Sequence, residues 1–457
     1  MKVLIVTSEA VPYAKTGGLA DVTGTLPKYL KQAGIETNVI MPKYKGIGAQ
    51  KIMEFDIEFV GKKKVRVFKD NDTYFIDYPE YFFRDGLYGT KSGDYPDNCE
   101  RFTLFARCVI ALLEELKFDI VHCHDWQTGL VPLYIKHNRL NYKTVFTIHN
   151  LGYQGRFSKE KFHLLGIGPE YFNPEAIEFY GDINFLKAGI LYGDLITTVS
   201  PHYAKEIQTQ EYGFGLEGVL KKFSDKLYGI LNGIDYQVWN PENDKLIYEP
   251  YKDFIGKQKN KFELTNECKL DYNKPLIGMV SRIAGQKGFD ILIKCLDDII
   301  ALNFNFILLG VGEEHYSEKL KKFADAYPGK VFININFDET FAHCIYAGSD
   351  FFLMPSKYEP CGLGQMISLK YGTVPIVYKT GGLADTVIEF NPADFSGNGF
   401  LFDTYSTGAL IEALKTAYAV YCNREVFRHL SEAGMKYDFS WDRSAREYKK
   451  LYEKLSG

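Results

Sequence analysis

A chain of 457 residues, 46% of them hydrophobic and 25% charged, has the apolar material for large cores and a length that suits on the order of two to four globular domains. A net charge of −4, with Lys62-Lys63-Lys64 as the longest basic run, excludes a general nucleic-acid binder. Eight cysteines without a CxxC pair exclude a cysteine-rich zinc module and suit a reducing compartment; with no charged leader and no apolar run of membrane-spanning length, a cytoplasmic protein with no membrane partner is expected.

Short apolar runs alternate with amphipathic helical stretches from end to end, the pattern of parallel βα units. Strand candidates in the first half lie at 2–8, 37–41, 119–123, 144–148, 195–199 and 227–231, with helical stretches such as 104–116 between them. The run 52–78 reads instead as two or three antiparallel strands, an insertion in that rhythm. Residues 238–262 carry Trp239-Asn240-Pro241, Glu249-Pro250 and then a Lys/Asn-rich stretch, and make the best linker. Strand candidates resume at 276–280, 304–310, 331–335, 350–354, 374–378 and 399–402, and a last helix follows at 443–455. The fold class expected is α/β, with two Rossmann-like, doubly wound domains facing a deep interdomain cleft. The N-terminal domain spans 1–240, the C-terminal domain 241–439, and the final helix falls within 440–457. Ligands of such sheets sit beyond the carboxyl ends of the strands, so residues directly after strands are the candidates for chemistry.

After the first strand comes Lys15-Thr16-Gly17-Gly18-Leu19-Ala20-Asp21, and the same seven residues return as Lys379-Thr380-Gly381-Gly382-Leu383-Ala384-Asp385. A glycine pair before a helix-forming run points bare N–H groups and the positive end of a helix dipole at an anion. Two ordinary loop-to-helix turns are the plainer alternative. His122-Cys123-His124-Asp125 has the composition of a metal cluster. Alternate strand residues face opposite sides, however, and 124–126 begin a turn, so no metal site is expected there. Asp125 reads as a cleft carboxylate or as the N-cap of a helix at 127–136. His149-Asn150 ends a strand ahead of Gly152 and Gly155, which favours function over a buried structural histidine. Asn232-Gly233 is a turn in which Asn232 is a secondary sugar-binding candidate.

In the second half, Arg282 and Lys287 lie on a glycine-containing loop that suits a phosphate, with two solvated cations as the alternative. Glu359 stands in the irregular loop 355–364. No GxGxxG follows the first strand, and neither a Walker A pattern nor a Gly-x-Ser-x-Gly elbow is present. The fixed charge of Lys15, Arg282 and Lys287 therefore suits a diphosphate, and Glu359, Asp125 and His149 suit sugar hydroxyls. A diphosphate that departs without a divalent cation needs its charge met by Lys, Arg and helix N-termini. A nucleotide-sugar glycosyltransferase answers that description.

These segments, in their order, resemble the bacterial glycogen synthases and plant starch synthases. The match runs through Lys15 to Leu19, His124-Asp125-Trp126, His149-Asn150, Asn232-Gly233-Ile234-Asp235, Ser281-Arg282, Gln286-Lys287-Gly288, Glu359-Pro360-Cys361-Gly362-Leu363 and Thr380 to Val387, nearly the whole chain. The resemblance implies a GT-B fold, no metal or other cofactor, and retaining transfer of glucose from ADP-glucose to the non-reducing 4-OH of an α-1,4-glucan or maltooligosaccharide. It implies that Lys15, Gly17, Gly18 and Asp21 belong to the segment contacting the sugar donor and that Arg282 and Lys287 hold the diphosphate. Glu359, Cys361, Gly362, Leu363, His149 and Asn232 would surround the glucose, Asp125 would line the same cleft, and the Thr380-Gly381-Gly382 backbone would meet the nucleotide. Phe337 stands at the adenine-stacking position, where the family often has Tyr; Gly364 replaces a Thr of some relatives. The family's final helix crosses back onto the N-terminal domain. With Glu359 the one obvious carboxylate nucleophile, same-face attack on an oxocarbenium-like centre is expected rather than a covalent glucosyl intermediate. A GT-B transferase using UDP-glucose and a non-catalytic glucan-binding relative stay open as alternatives, and no oligomeric state is assigned.

Overall fold

The computed structural model describes residues 1–90 and 92–456. The chain forms two compact units, Met1–Asn232 with Trp441–Gly457, and Gly233–Ser440.

The first unit is built on a nine-stranded sheet. Its order is Leu227–Gly229, Leu195–Thr198, Lys143–Ile148, Ile120–His124, Lys2–Val6, Glu36–Pro42, Thr73–Asp77, Lys62–Asp70 and Gln50–Glu58. Neighbours are parallel from Leu227–Gly229 through Thr73–Asp77, and the last two strands are antiparallel. Val3 to Val6 are wholly buried, as a strand covered by helices on both faces must be. The run expected to be an insertion divides in two. Thr73–Asp77 is buried throughout and pairs in parallel with Glu36–Pro42, so it belongs to the main sheet. Gln50–Glu58 alternates exposed and half-buried residues and ends the sheet with charged side chains, including a Lys62–Asp56 pair at 2.9 Å, which discourages edge-to-edge association. The chain leaves Lys2–Val6 towards one side of the sheet and returns at Ile120–His124 on the other. That reversal is the point at which doubly wound sheets bind ligands.

The second unit has six parallel strands in the order Val331–Asn334, Asn305–Leu309, Leu276–Val280, Phe351–Met354, Val374–Tyr378 and Phe400–Phe402. Its reversal lies between Leu276–Val280 and Phe351–Met354. Ile277, Met279, Phe289, Leu292, Phe306, Leu308, Phe351 and Ile376 are among the core residues around these strands.

The stretch expected as a linker is partly a helix of this unit, Phe254–Glu267. Its polarity misleads because its buried face is the charged one. The Lys261 ammonium lies 2.7 Å from the Asp350 carboxylate, with the two side chains 2% and 0% exposed. Lys257 donates to the Ala347 carbonyl at 2.8 Å and the Thr373 hydroxyl at 2.6 Å, and burial pulls its ammonium down to about 7.

The last helix, Trp441–Ser456, belongs to the first unit and buries Trp441, Ala445, Tyr448, Leu451 and Tyr452 along one stripe. Ser444 donates to the Leu231 carbonyl at 2.6 Å and Lys449 to the Ala33 carbonyl at 2.8 Å. Among the described residues no helix is long and apolar enough to cross a membrane.

Lys261→Met removes the ion-pair partner of the buried Asp350, which keeps the Leu276 N–H at 2.8 Å. It should destabilise the protein by about 3–5 kcal/mol, the usual cost of removing one partner of a buried pair, measured by denaturant unfolding that resolves the second unit.

Candidate active site

In the first unit, the loop after Lys2–Val6 leads into the helix Gly18–Gln32. Gly17 and Gly18 are exposed, and nothing lies within 4 Å of where a Cβ on either would stand. Their bareness keeps the surface above the helix start open. The Lys15 ammonium lies 2.6 Å from the carboxylate of Asp21 in the first helical turn. Beneath the loop sits Glu9, 3% exposed. Its carboxylate accepts from the Thr16 N–H, from the Thr16 hydroxyl at 2.9 Å and from the Tyr88 phenol at 3.1 Å. Burial raises the Glu9 carboxyl above its ordinary value, and the Thr16 bonds oppose that rise. Glu9 escaped the sequence reading. A carboxylate directly after an apolar strand was the available signal.

Asp125 and His149 end neighbouring strands and meet. The Asp125 Oδ1 accepts from the His149 N–H at 2.7 Å, and Asp125 itself is held at φ +57°. No side-chain cap bond is made by Asp125, so the capping alternative does not describe it. Burial pushes its carboxyl up to about 7, partly offset by bonds from the His149 and Asn150 N–H groups. His149 Nε2 lies 2.9 Å from His124 Nδ1, and the His122 and His124 rings are 4.2 Å apart.

The separation expected for the His-Cys-His-Asp run thus fails for His122 and His124, which are two apart and share a face. Both ring nitrogens of His122 are engaged in hydrogen bonds, whereas His124 engages only Nδ1 and its Nε2 lacks a partner. His122 meets the Tyr452 phenol at 2.7 Å and the Thr147 hydroxyl at 2.6 Å. Burial lowers His122 and His149 to about 3 and His124 well below its ordinary value, so all three are neutral near pH 7. Among the described residues no group of three or more His, Cys, Asp or Glu side chains is arranged to hold an ion. Asn232 is buried with its Oδ1 lacking a partner, an acceptor that a ligand hydroxyl could satisfy.

In the second unit the reversal point joins the two loops that the sequence singled out. Lys287 Nζ lies 2.5 Å from Glu359 Oε2, and the Ser356 hydroxyl donates to the same oxygen at 3.0 Å. Glu359 is 7% exposed. Gly288, at φ +81°, permits the approach, since a Cβ there would stand 2.0 Å from the Pro355 carbonyl oxygen. Arg282 is exposed, with Nη2 3.4 Å from Gln286 Oε1. Gln286 in turn accepts from the Lys357 N–H at 2.9 Å. Phe337 is 85% exposed, a bare ring of the kind a base can stack on. Cys361 is buried, Gly362 and Leu363 are half-buried, and Gln365 staples the loop through the Cys361 and Gly362 carbonyls, each at 3.0 Å.

The second heptapeptide copy is built unlike the first. Gly381 and Gly382 are buried, and a Cβ on either would come within 2.0 Å of the Glu359 or Cys361 carbonyl oxygen. The Gly382 N–H donates to the Glu359 carbonyl at 3.0 Å. Expected to offer its N–H to an anion, Gly382 instead spends it supporting the Glu359 loop. The helix that follows, Gly381–Thr386, has six residues against fifteen in the first copy.

Residues 2–222 match the family described as starch synthase catalytic domain, and residues 260–435 match glycosyl transferases group 1. The chain is 42% identical to a glycogen synthase of Thermodesulfovibrio yellowstonii, covering 100% of this chain and 98% of that protein. It is 46% identical to a glycogen synthase of Geotalea daltonii, over 99% and 98% respectively. The solved catalytic domain of starch synthase IV from Arabidopsis thaliana, bound to ADP and acarbose, superposes with a TM-score of 0.89 at 34% identity, covering 100% of this chain and 99% of that one. A sucrose-phosphate synthase from Thermosynechococcus elongatus, at 17% identity and a TM-score of 0.65 over 99% and 98%, shares the fold.

A carboxyl that titrates near 7 when folded and near 3.8 when unfolded makes the folded state bind more protons in between, so its contribution to stability falls as pH rises through that window. Asp125→Asn lacks this slope. Its unfolding free energy minus that of the parent should rise from pH 4 to 7 and level off above, as followed by denaturation at stepped pH.

Proposed function

The chain belongs to the glycogen and starch synthases, GT-B glucosyltransferases that lengthen a glucan from a nucleotide-sugar donor, and within that activity we propose that the donor is ADP-glucose, the acceptor an α-1,4-glucan, and the chemistry free of metal. The contact between Lys287 and Glu359, 2.5 Å apart at the second unit's reversal point, carries the reading. It sets a cation for phosphate and a carboxylate for sugar side by side, with Arg282 on the same loop. Across that contact each charge offsets the other. An arriving diphosphate takes up Lys287 and Arg282, and Glu359 is released towards the glucose.

The departing charge is then met by Lys15, Arg282 and Lys287 in place of a divalent cation, as preorganised cations can do. The bond from glucose C1 to the diphosphate oxygen breaks, and the bond from C1 to the acceptor O4 forms on the same face. The acceptor's proton passes to the leaving phosphate oxygen, and ADP departs. His149, neutral through burial, serves as a hydrogen-bonding wall rather than a cation, and Asp125 holds it by its backbone N–H. Asn232 offers its unpartnered Oδ1 to a hydroxyl, and Phe337 offers its ring to the adenine. Lys15 works with Gly17 and Gly18 on the sugar donor, and Asp21 restrains its ammonium. The loop Cys361-Gly362-Leu363 frames the glucose, Gly382 braces it through its N–H, and the Thr380 and Gly381 backbone meets the nucleotide.

Turnover with a maltooligosaccharide should be much faster on ADP-glucose than on UDP-glucose and unchanged by EDTA; equal use of both sugars, or loss of activity on chelation, sinks the respective part. Glu359→Ala and Lys15→Ala should each lower kcat/KM by about a hundredfold or more, and unaltered transfer would refute the site. A glucosyl adduct trapped on Glu359 would replace same-face attack with a covalent route.

A further inference from the structure

The exposed segment from Lys15 to Gly18 has little of its own to hold it in place. Its glycines have no side chains, and the space beside them is empty to 4 Å. What anchors it lies underneath. Both Glu9 carboxylate oxygens accept from the Thr16 hydroxyl, at 2.9 and 3.0 Å, and one also takes the Thr16 N–H. The other side of the carboxylate takes the Tyr88 phenol at 3.1 Å, itself 2.7 Å from the Ser8 hydroxyl. Glu9 is fixed by its own backbone as well, because its carbonyl accepts from the Thr23 hydroxyl at 2.6 Å and the Thr7 hydroxyl at 2.9 Å. Thr23 lies on the helix that the segment starts.

These groups on Glu9 are all neutral donors. Only an acceptor with several lone pairs can satisfy them together, and an ionised carboxylate has no hydrogen to clash with them. An amide of the same shape can keep the Thr16 N–H at its oxygen end, but its NH2 end makes the Thr16 and Tyr88 hydroxyls turn round to accept, which reverses the Tyr88–Ser8 bond as well. Burying a carboxylate without a cation is costly unless hydrogen bonds replace its water. Apolar packing would fill the space under a turn more cheaply, but it would not orient the backbone above.

We propose that Glu9 is a positioning residue for glucosyl transfer: by gripping Thr16 through its N–H and its hydroxyl it sets the direction in which Lys15 leaves the backbone and holds the ammonium where the sugar donor's diphosphate binds. Asp21, 2.6 Å from that ammonium, restrains the far end of the side chain, and Glu9 restrains its root. The proposal rests on the reading that Lys15 contacts the diphosphate.

ADP binding by calorimetry and steady-state kinetics test it in four proteins: the parent, Glu9→Gln, Lys15→Ala and the double variant. Glu9→Gln should weaken ADP and raise the sugar-donor KM by about tenfold, while the KM for maltooligosaccharide stays within about twofold. Groups that act as one unit are not additive, so in the Lys15→Ala background the Glu9→Gln effect should shrink to about twofold or less. Full, multiplicative losses overturn the proposal, as does an equal rise in the acceptor KM, because either means a general loss of structure. Should Glu9→Gln fail to fold, Tyr88→Phe removes a single donor to the carboxylate. Its loss of ADP affinity, about two- to threefold, should likewise vanish without Lys15, and persistence of that loss overturns the proposal. If Lys15→Ala leaves ADP affinity intact, the assignment of Lys15 to the diphosphate falls. If it weakens ADP while Glu9→Gln does not, only the role of Glu9 falls.

Discussion

A parallel sheet covered on both faces must satisfy its backbone through its own ladder and fill its sides with apolar packing, so the free chemistry of such a chain collects at the strand ends. Both units obey this constraint. In the first, Glu9, Asp125 and His149 follow or end the strands beginning at Lys2, Ile120 and Lys143. In the second, Lys287 and Glu359 follow the two strands that flank the reversal of winding. Neither set converges because of sequence proximity. Each converges because adjacent parallel strands deliver their following loops to one edge, and the reversal point keeps helices from covering the gap.

The repeated heptapeptide shows how far identical sequence leaves structure undetermined. In the first copy glycine is needed for openness, and the fifteen-residue helix behind it supplies a full dipole. In the second, glycine is needed for closeness, since the chain presses against carbonyls that a Cβ would strike. One copy meets the sugar donor in our reading, and the other steadies the loop that carries Glu359. The same residue type serves opposite steric demands.

Buried polarity serves two ends in this protein. Lys257 and Lys261 are matched at once by carbonyls, a hydroxyl and a carboxylate, and their helix could have been taken for a tether. The histidine group of the first unit is neutral and tied to Thr147 and to Tyr452 of the last helix. That network links the end of the chain to the wall that holds His149, so the final helix supports the site as well as the core.

Much of the chemistry was legible in the residues. The βα rhythm, the glycine-flanked helix starts, Arg282 and Lys287 on one loop and Glu359 on another all follow from local rules, because strand ends and loop composition are written in consecutive residues. What lay outside local rules was decided by packing across the chain. Thr73–Asp77 joined the parallel sheet through its pairing with Glu36–Pro42, and a lysine-rich stretch became a packed helix because Asp350, far along the chain, was there to meet it. Glu9 gained its place beneath Thr16 from the fold of its loop, His122 was tied to Tyr452 of the last helix, and Gly382 turned inward. The sequence alone determined which groups could meet phosphate and sugar. Tertiary structure decided which of them face outward, which are neutralised by burial, and which hold the others in position, since long-range partners and desolvation set those outcomes.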